Sequence, residues 1–191
     1  MRKRNTQLNI PFNTGFTLIE LVVIIVILAI VAAFVLPRFA DLQDKAELST
    51  VEYIASSLKV SADTTKLVFN SKGHTTRTQN LQGYGDGTID TNNIGYPIGT
   101  NKGNGNENIG IGNFGCVGVW QGILESPPSV DFGNNNSDYR SYRHTGSKVC
   151  SYAYRLNGDT RGRNQALLVI RYDSRDGKVD VCGRRSDIPN C

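Results

Sequence analysis

Apolar and polar positions follow different periods along these 191 residues, and each period marks a different element. From Phe16 to Leu36 the only polar side chains are Thr17 and Glu20. As a helix this run rises about 30 Å, the thickness of a bilayer core, so it can span a membrane. Pro37 follows it. Lacking an N–H donor and clashing with the preceding turn, Pro37 is expected to kink or locally melt the helix where lipid gives way to water, without ending it. Beyond it Leu48, Val51, Ala55, Leu58, Ala62, Thr65 and Phe69 recur in steps of three and four among Asp, Glu, Lys and Ser. They form one apolar stripe on a helix that needs a sheet to lie on.

After Phe69 that period is lost. Gly, Asn and Thr dominate from Asn70 to Gly115, which predicts a long connecting loop, and the polar tract at 99–112 is expected to hold no strand. Cys116, Val119, Trp120, Ile123 and Leu124 return to helical spacing, predicting a short helix stopped by Pro127 and Pro128. In the C-terminal third Cys150, Tyr152, Tyr154 and Leu156 alternate with Ser151, Ala153 and Arg155. Residues 166–172 then form a near-continuous apolar run, and residues 178–182 alternate again. Three antiparallel strands follow, with turn chemistry at Asn157-Gly158 and at Asp176-Gly177, the second inside a short hairpin.

Charge sharpens this picture. The chain carries 21 basic and 17 acidic residues. Arg2, Lys3 and Arg4 are the only charged residues before Phe16, and setting them aside leaves 18 basic against 17 acidic. Bulk charge therefore gives nucleic-acid binding little support. The three leading cations instead keep their flank of the first apolar segment in the cytoplasm, so the bulk of the chain is exported. Cys116, Cys150, Cys182 and Cys191 all lie in that exported part, even in number, with no CxxC pair and only two histidines in the chain. Two disulfides are expected rather than a zinc site. Four cysteines allow three connectivities, and sequence alone does not choose among them. The expected pairs are Cys116 with Cys150 and Cys182 with Cys191, the second stapling the tail to a strand that would otherwise fray.

An ordinary secretory signal is cut after its apolar core, at small residues. Here the small residue, Gly15, comes before it. The run Asn-Thr-Gly-Phe-Thr-Leu-Ile-Glu-Leu resembles the type IV prepilin signature, a resemblance that covers Thr14 to Phe39. It implies that a prepilin peptidase on the cytoplasmic face cuts between Gly15 and Phe16 and methylates the new N-terminus of Phe16. Glu20 is then the fifth mature residue and Pro37 the twenty-second. Physics makes Glu20 intelligible beside the resemblance. A carboxylate within apolar surroundings costs several kcal/mol unless paired, and cleavage creates a partner, the Phe16 amine, placed to meet Glu20 of a neighbouring subunit and fix the register between them. A lone acid that snorkels to the interface is the plainer alternative.

The apolar helix then has two lives, as a membrane anchor and as the core of a fibre built from copies of itself. A permanent single-pass anchor uses the same residues, and only Gly15 and Glu20 separate the two. The fold implied is α+β and type IV pilin-like: a long N-terminal helix, transmembrane in its first half, packed on a small antiparallel sheet with a long loop region. The parts are a leader (1–15), a transmembrane or fibre-core half-helix (16–36), an amphipathic half-helix (37–69) and a head (70–191). The runs at 37–43 and 116–124, the latter with its two following prolines, are similar to pilins of the mannose-sensitive haemagglutinin (MSHA) type. That implies surface attachment and early biofilm formation by a Gram-negative bacterium. The partners implied are other copies of the chain, the peptidase, the inner-membrane assembly machinery and, before assembly, membrane lipid. A minor pilin or a type II secretion pseudopilin shares the same N-terminal features, although secretion pseudopilins commonly do without disulfides.

Other constellations are weaker. Residues 110–115 (GIGNFG) fit GxGxxG but follow a polar loop rather than a strand. No GxSxG or HExxH occurs, and His74 and His144 lie in polar stretches, so no catalytic role and no cofactor is expected. Asp86, Asp90 and Asn92, or Asp173, Asp176 and Asp180, offer oxygen atoms that could suit calcium, but turn-forming side chains explain them better and no metal site is assigned. The stretch from Tyr139 to His144 mixes aromatics with cations. A carbohydrate- or single-stranded-DNA-binding face has that mixture, and so does a polar loop between strands.

Overall fold

The computed structural model describes residues 15–133 and 136–191, and for Ala40 its backbone. The leader assigned to residues 1–15 lies outside the described residues except for Gly15. The chain divides into two compact units, Met1–Asp44 and Lys45–Cys191. Helix α1, Leu18–Ser71, is assigned through both, with Pro37 inside it. No local unwinding interrupts the helix at Pro37, although the proline supplies no hydrogen bond to the carbonyl of Ala33.

In the second unit α1 is followed by strands β1 (Ile89–Thr91) and β2 (Pro97–Thr100), a 3-10 turn (Gly112–Phe114) and helix α2 (Gly115–Ile123). Strands β3 (Val130–Asp131), β4 (Tyr139–His144), β5 (Val149–Tyr154), β6 (Val169–Asp173) and β7 (Lys178–Cys182) complete it. β1 and β2 pair as an antiparallel hairpin. The other five form one sheet in sequence order, antiparallel from β4 to β7, with β3 joined in parallel to β4. The α+β architecture expected from the sequence, a long N-terminal apolar helix with its later half on an antiparallel sheet, is the one observed.

The stripe on α1 makes that packing. Val51, Ala55, Leu58, Ala62, Thr65 and Phe69 are buried, while Tyr53, Val60 and Leu67 face away and are exposed. Inward side chains of β5 and β6, Tyr152, Ile170 and Tyr172, meet this face together with α2. Trp120 of α2 is fully buried between Tyr139 and Tyr152, with ring centroids 4.8 and 4.5 Å away. Its indole N–H donates to the Pro128 carbonyl at 2.9 Å, and the Tyr152 hydroxyl donates to the Cys116 carbonyl at 2.8 Å. These bonds satisfy polar atoms that would be costly to bury unpaired.

Three expectations are corrected. The region 70–115 is not a plain loop, because isolated apolar residues, Leu81, Ile89, Ile98 and Ile109, are all fully buried and hold the β1–β2 hairpin against the core. Buried polar side chains do the rest. Asp90 accepts the N–H of Asn80 at 2.9 Å and that of Lys102, and Asn92 accepts the N–H of Tyr96 at 2.8 Å. The stretch from Tyr139 to His144 is a full strand rather than a connecting loop, so the sheet has more than the three strands expected. Finally, β6 begins at Val169 rather than at residue 166, since Asp159 captures the N–H of Leu167 at 2.7 Å and holds that segment off the ladder.

Candidate processing and assembly site

Thr17 and Glu20 open α1 with a reciprocal pair of bonds. The Glu20 N–H donates to the Thr17 hydroxyl oxygen at 3.3 Å, and the Glu20 carboxylate accepts the Thr17 N–H at 3.3 Å and its hydroxyl at 3.2 Å. This is a capping box, in which two helix-end donors find side-chain acceptors and a carboxylate meets the positive end of the helix dipole. The T-x-x-E spacing carried that signal in the sequence, where Glu20 was read only as a carboxylate in need of a neighbour. Glu20 therefore has a partner within its own helix. Phe16, immediately before the cap, is 81% exposed, and among the described residues nothing lies within 4 Å of where a Gly15 side chain would start.

Beyond the cap the helix is apolar on every side. Each large apolar side chain from Leu18 to Leu36 is between 38% and 80% exposed, so among the described residues no face of this segment is buried. No charged residue occurs between Glu20 and Arg38. At about 25 cal/mol per Å² such a surface is strongly unfavourable in water and requires either lipid or other apolar chains around it. By length and composition the helix is able to cross a membrane.

In the second unit disulfides join Cys116 to Cys150 and Cys182 to Cys191. The first ties α2 to β5 inside the core, and both its cysteines are fully buried. The second ties the tail to the end of β7.

The acidic residues weighed as calcium ligands have protein partners. Asp86 accepts from the hydroxyl and N–H of Thr88, which hold its carboxyl below the usual range. Asp173 pairs with Arg175, which likewise lowers it, and Asp180 pairs with Arg171 and Lys178. No group of three or more metal-ligating side chains gathers among the described residues. Residues 110–115 form a tight turn rather than a phosphate cradle. Gly110 adopts a left-handed φ of 54°, and a Cβ there would stand 2.1 Å from the Cα of Gly115.

On β4 the inward Tyr139 is buried, and burial raises its phenol pKa far above normal, so this ring is core and offers no platform to a ligand. Tyr142, on the opposite face, remains half-buried, with the Arg140 guanidinium 5.3 Å from its ring centroid.

Residues 12–36 match the family model described as the prokaryotic N-terminal methylation motif. A segment of 45 residues, 24% of this chain, is 47% identical to the "Type IV narrow pilus major component PilA5" of Thermus thermophilus. The match spans 39% of that protein's length. No solved structure matches the chain significantly.

Proposed function

We propose that this chain is the precursor of a type IV pilus subunit with a structural rather than a catalytic role. A prepilin peptidase cuts between Gly15 and Phe16 and methylates the Phe16 amine. The precursor sits in the inner membrane as a single pass with its N-terminus in the cytoplasm, and the assembly machinery then draws the apolar helix out of lipid and into a fibre. The observation that carries this reading is one juxtaposition: a glycine, a capped helix start bearing Glu20, and a helix with exposed apolar side chains all round. A permanent anchor has no use for a carboxylate at that depth, whereas a fibre uses it to set the register between neighbouring helices.

The finer reading, an MSHA-like subunit serving surface attachment and biofilm formation, rests on the runs at 37–43 and 116–124 and on a disulfide-bearing head. Attachment chemistry, including any carbohydrate ligand, belongs to that head.

Intact-mass and N-terminal analysis of sheared surface fibres from the native host tests the processing step. The expected chain begins with methylated Phe16 and is lighter by four hydrogens for its two disulfides. A chain still starting at Met1 and found only in the membrane would overturn the reading in favour of a permanently anchored domain.

A further inference from the structure

An asparagine or aspartate followed by glycine can close on itself, because the missing Cβ lets the glycine nitrogen swing back onto the side-chain carbonyl. Closure needs that nitrogen free to attack and the carbonyl polarised to receive it. The chain holds four such pairs, Asp86-Gly87, Asn104-Gly105, Asn157-Gly158 and Asp176-Gly177. In three of them the glycine amide is already spent. The Gly87 N–H donates to the Tyr84 carbonyl at 3.1 Å, that of Gly158 to Arg155 at 2.9 Å and that of Gly177 to Asp173 at 2.9 Å. The Asn157 side chain is also held at both ends, Nδ2 donating to Glu47 at 3.3 Å and Oδ1 accepting the Asp159 N–H at 3.0 Å. Gly105 differs. Among the described residues its N–H makes no hydrogen bond, the residue is exposed, and nothing stands within 4 Å of where a Cβ would start.

The neighbouring carbonyl has an unusual donor. Lys102 is 1% exposed, and its ammonium donates to Asn104 Oδ1, to the Asn106 carbonyl and, at 2.9 Å, to Asn106 Oδ1. These three acceptors are neutral. Burial first, then the charge of Arg77, pull the Lys102 pKa down to about 8 against the opposing pull of Asp90. At neutral pH the group is still mostly charged. A cation on Oδ1 draws electron density from Cγ and stabilises the negative oxygen that forms as a nucleophile adds there.

We propose that Asn104-Gly105 is a self-modifying site, at which the Gly105 nitrogen attacks Asn104 Cγ, with Lys102 as the electrophilic donor, and residue 104 ends as a carboxylate. The Gly105 amide gives its proton to water as its nitrogen bonds to Cγ. The Cγ–Nδ2 bond then breaks, and Nδ2 leaves as ammonia with a proton from solvent. Water opens the resulting ring at either carbonyl, leaving an aspartate or its β-linked isomer. The net exchange is one water taken up for one ammonia released, with no change of oxidation state. The new carboxylate meets the Lys102 ammonium, so a neutral contact becomes an ion pair and the cost of burying the charge falls. The loop that gains this pair is tied to the β1–β2 hairpin region through the Asn101 N–H on the Thr88 carbonyl and the Gly110 N–H on that of Ile98. The site goes beyond the pilus reading and does not rest on it.

The test incubates the full chain in detergent micelles at neutral pH in heavy-oxygen water, folded or in denaturing urea, and follows the peptides that contain Asn104 and Asn157. In the folded chain Asn104 is expected to convert well ahead of Asn157, taking up heavy oxygen and appearing partly as isoaspartate. In urea the two are expected to keep pace. Lys102→Met is expected to slow Asn104 by at least about tenfold in the folded chain, the scale of one charge-assisted bond, and to change nothing in urea. Should Lys102→Met not fold, the unaltered chain serves: the ratio of folded to unfolded rates at Asn104 is expected to fall as pH rises past about 8, where the ammonium discharges. Asn104→Asp, the α-linked product, is expected to have a higher Tm at neutral pH than freshly made chain. An intact Asn104, conversion no faster than at Asn157, or heavy oxygen without isoaspartate overturns the site. Rates indifferent to Lys102→Met and to pH overturn the role of the lysine, and a lower Tm for Asn104→Asp overturns the ion pair. None of these results bears on whether Gly15–Phe16 is cut, which the N-terminal analysis reads separately.

Discussion

His144 shows how one residue records its surroundings. Its ring nitrogens lie 2.8 Å from the Ser151 hydroxyl and 2.9 Å from the Thr145 hydroxyl. Arg163 and Arg171 face it, together with the weaker opposing charge of Asp173. Burial and the two arginines hold the folded pKa near 4, against 6.5 for a free imidazole. Between these values the unfolded chain binds a proton that the folded chain refuses. Folding stability therefore rises with pH across that window and falls on acidification through it. The depressed carboxylates of Asp159 and Asp173 act at lower pH, below their ordinary 3.8, and leave the window to the histidine. Denaturant midpoints measured across that window are expected to fall with acid, and His144→Asn to flatten the fall; an equally steep profile in the variant would place the proton elsewhere. None of this was legible in the sequence, where His144 stood in a polar stretch without an identifiable partner, because its partners arrive from β5, β6 and the segment before β6.

Elements divide by whether their period could be read. The stripe on α1 and the spacing within α2 were legible, since each repeats its apolar positions often enough to define a face. The β1–β2 hairpin was not, because it buries one apolar residue at a time and relies on Asp90 and Asn92 to hold its turns. Strand β4 was hidden by its outward Arg140, Tyr142 and His144, which read as loop chemistry although Tyr139 and Ser141 point into the core. The two disulfides differ as staples for the same reason that elements differ in reach. Cys116–Cys150 closes a separation of 34 residues and joins two elements, while Cys182–Cys191 closes 9 and pins only the tail. On loop closure alone these correspond to about 3.8 and about 2.6 kcal/mol. The fully buried first pair also fills core volume that alanine would leave empty. The double variant Cys116→Ala/Cys150→Ala is thus expected to lower Tm more than Cys182→Ala/Cys191→Ala. A reversed order would mean that the tail contributes more to the head than its contacts indicate.

For the whole molecule the unresolved balance is the apolar helix, whose large apolar side chains from Leu18 to Leu36 are exposed among the described residues. Lipid covers that surface equally well at many depths, so lipid alone gives Glu20 no reason to sit at one particular level. A bundle of helices does, because each carboxylate leaving water must find a positive charge or incur several kcal/mol. The capping box supplies a competing local role, and two substitutions separate the roles. Thr17→Val removes the hydroxyl half of the cap but leaves the carboxylate, at a cost to the helix start of about 1 kcal/mol. Glu20→Ala removes the charge itself. If Glu20 sets the register between subunits, Glu20→Ala is expected to reduce the yield of sheared fibres more than tenfold while the chain is still inserted and cut after Gly15, and Thr17→Val to leave fibre yield near normal. Should Thr17→Val abolish fibres as completely as Glu20→Ala does, the carboxylate acts through its own helix cap and the proposed contact with a neighbouring Phe16 amine fails. Full fibre yield from Glu20→Ala would remove both roles and leave the apolar surface alone to hold the subunits together.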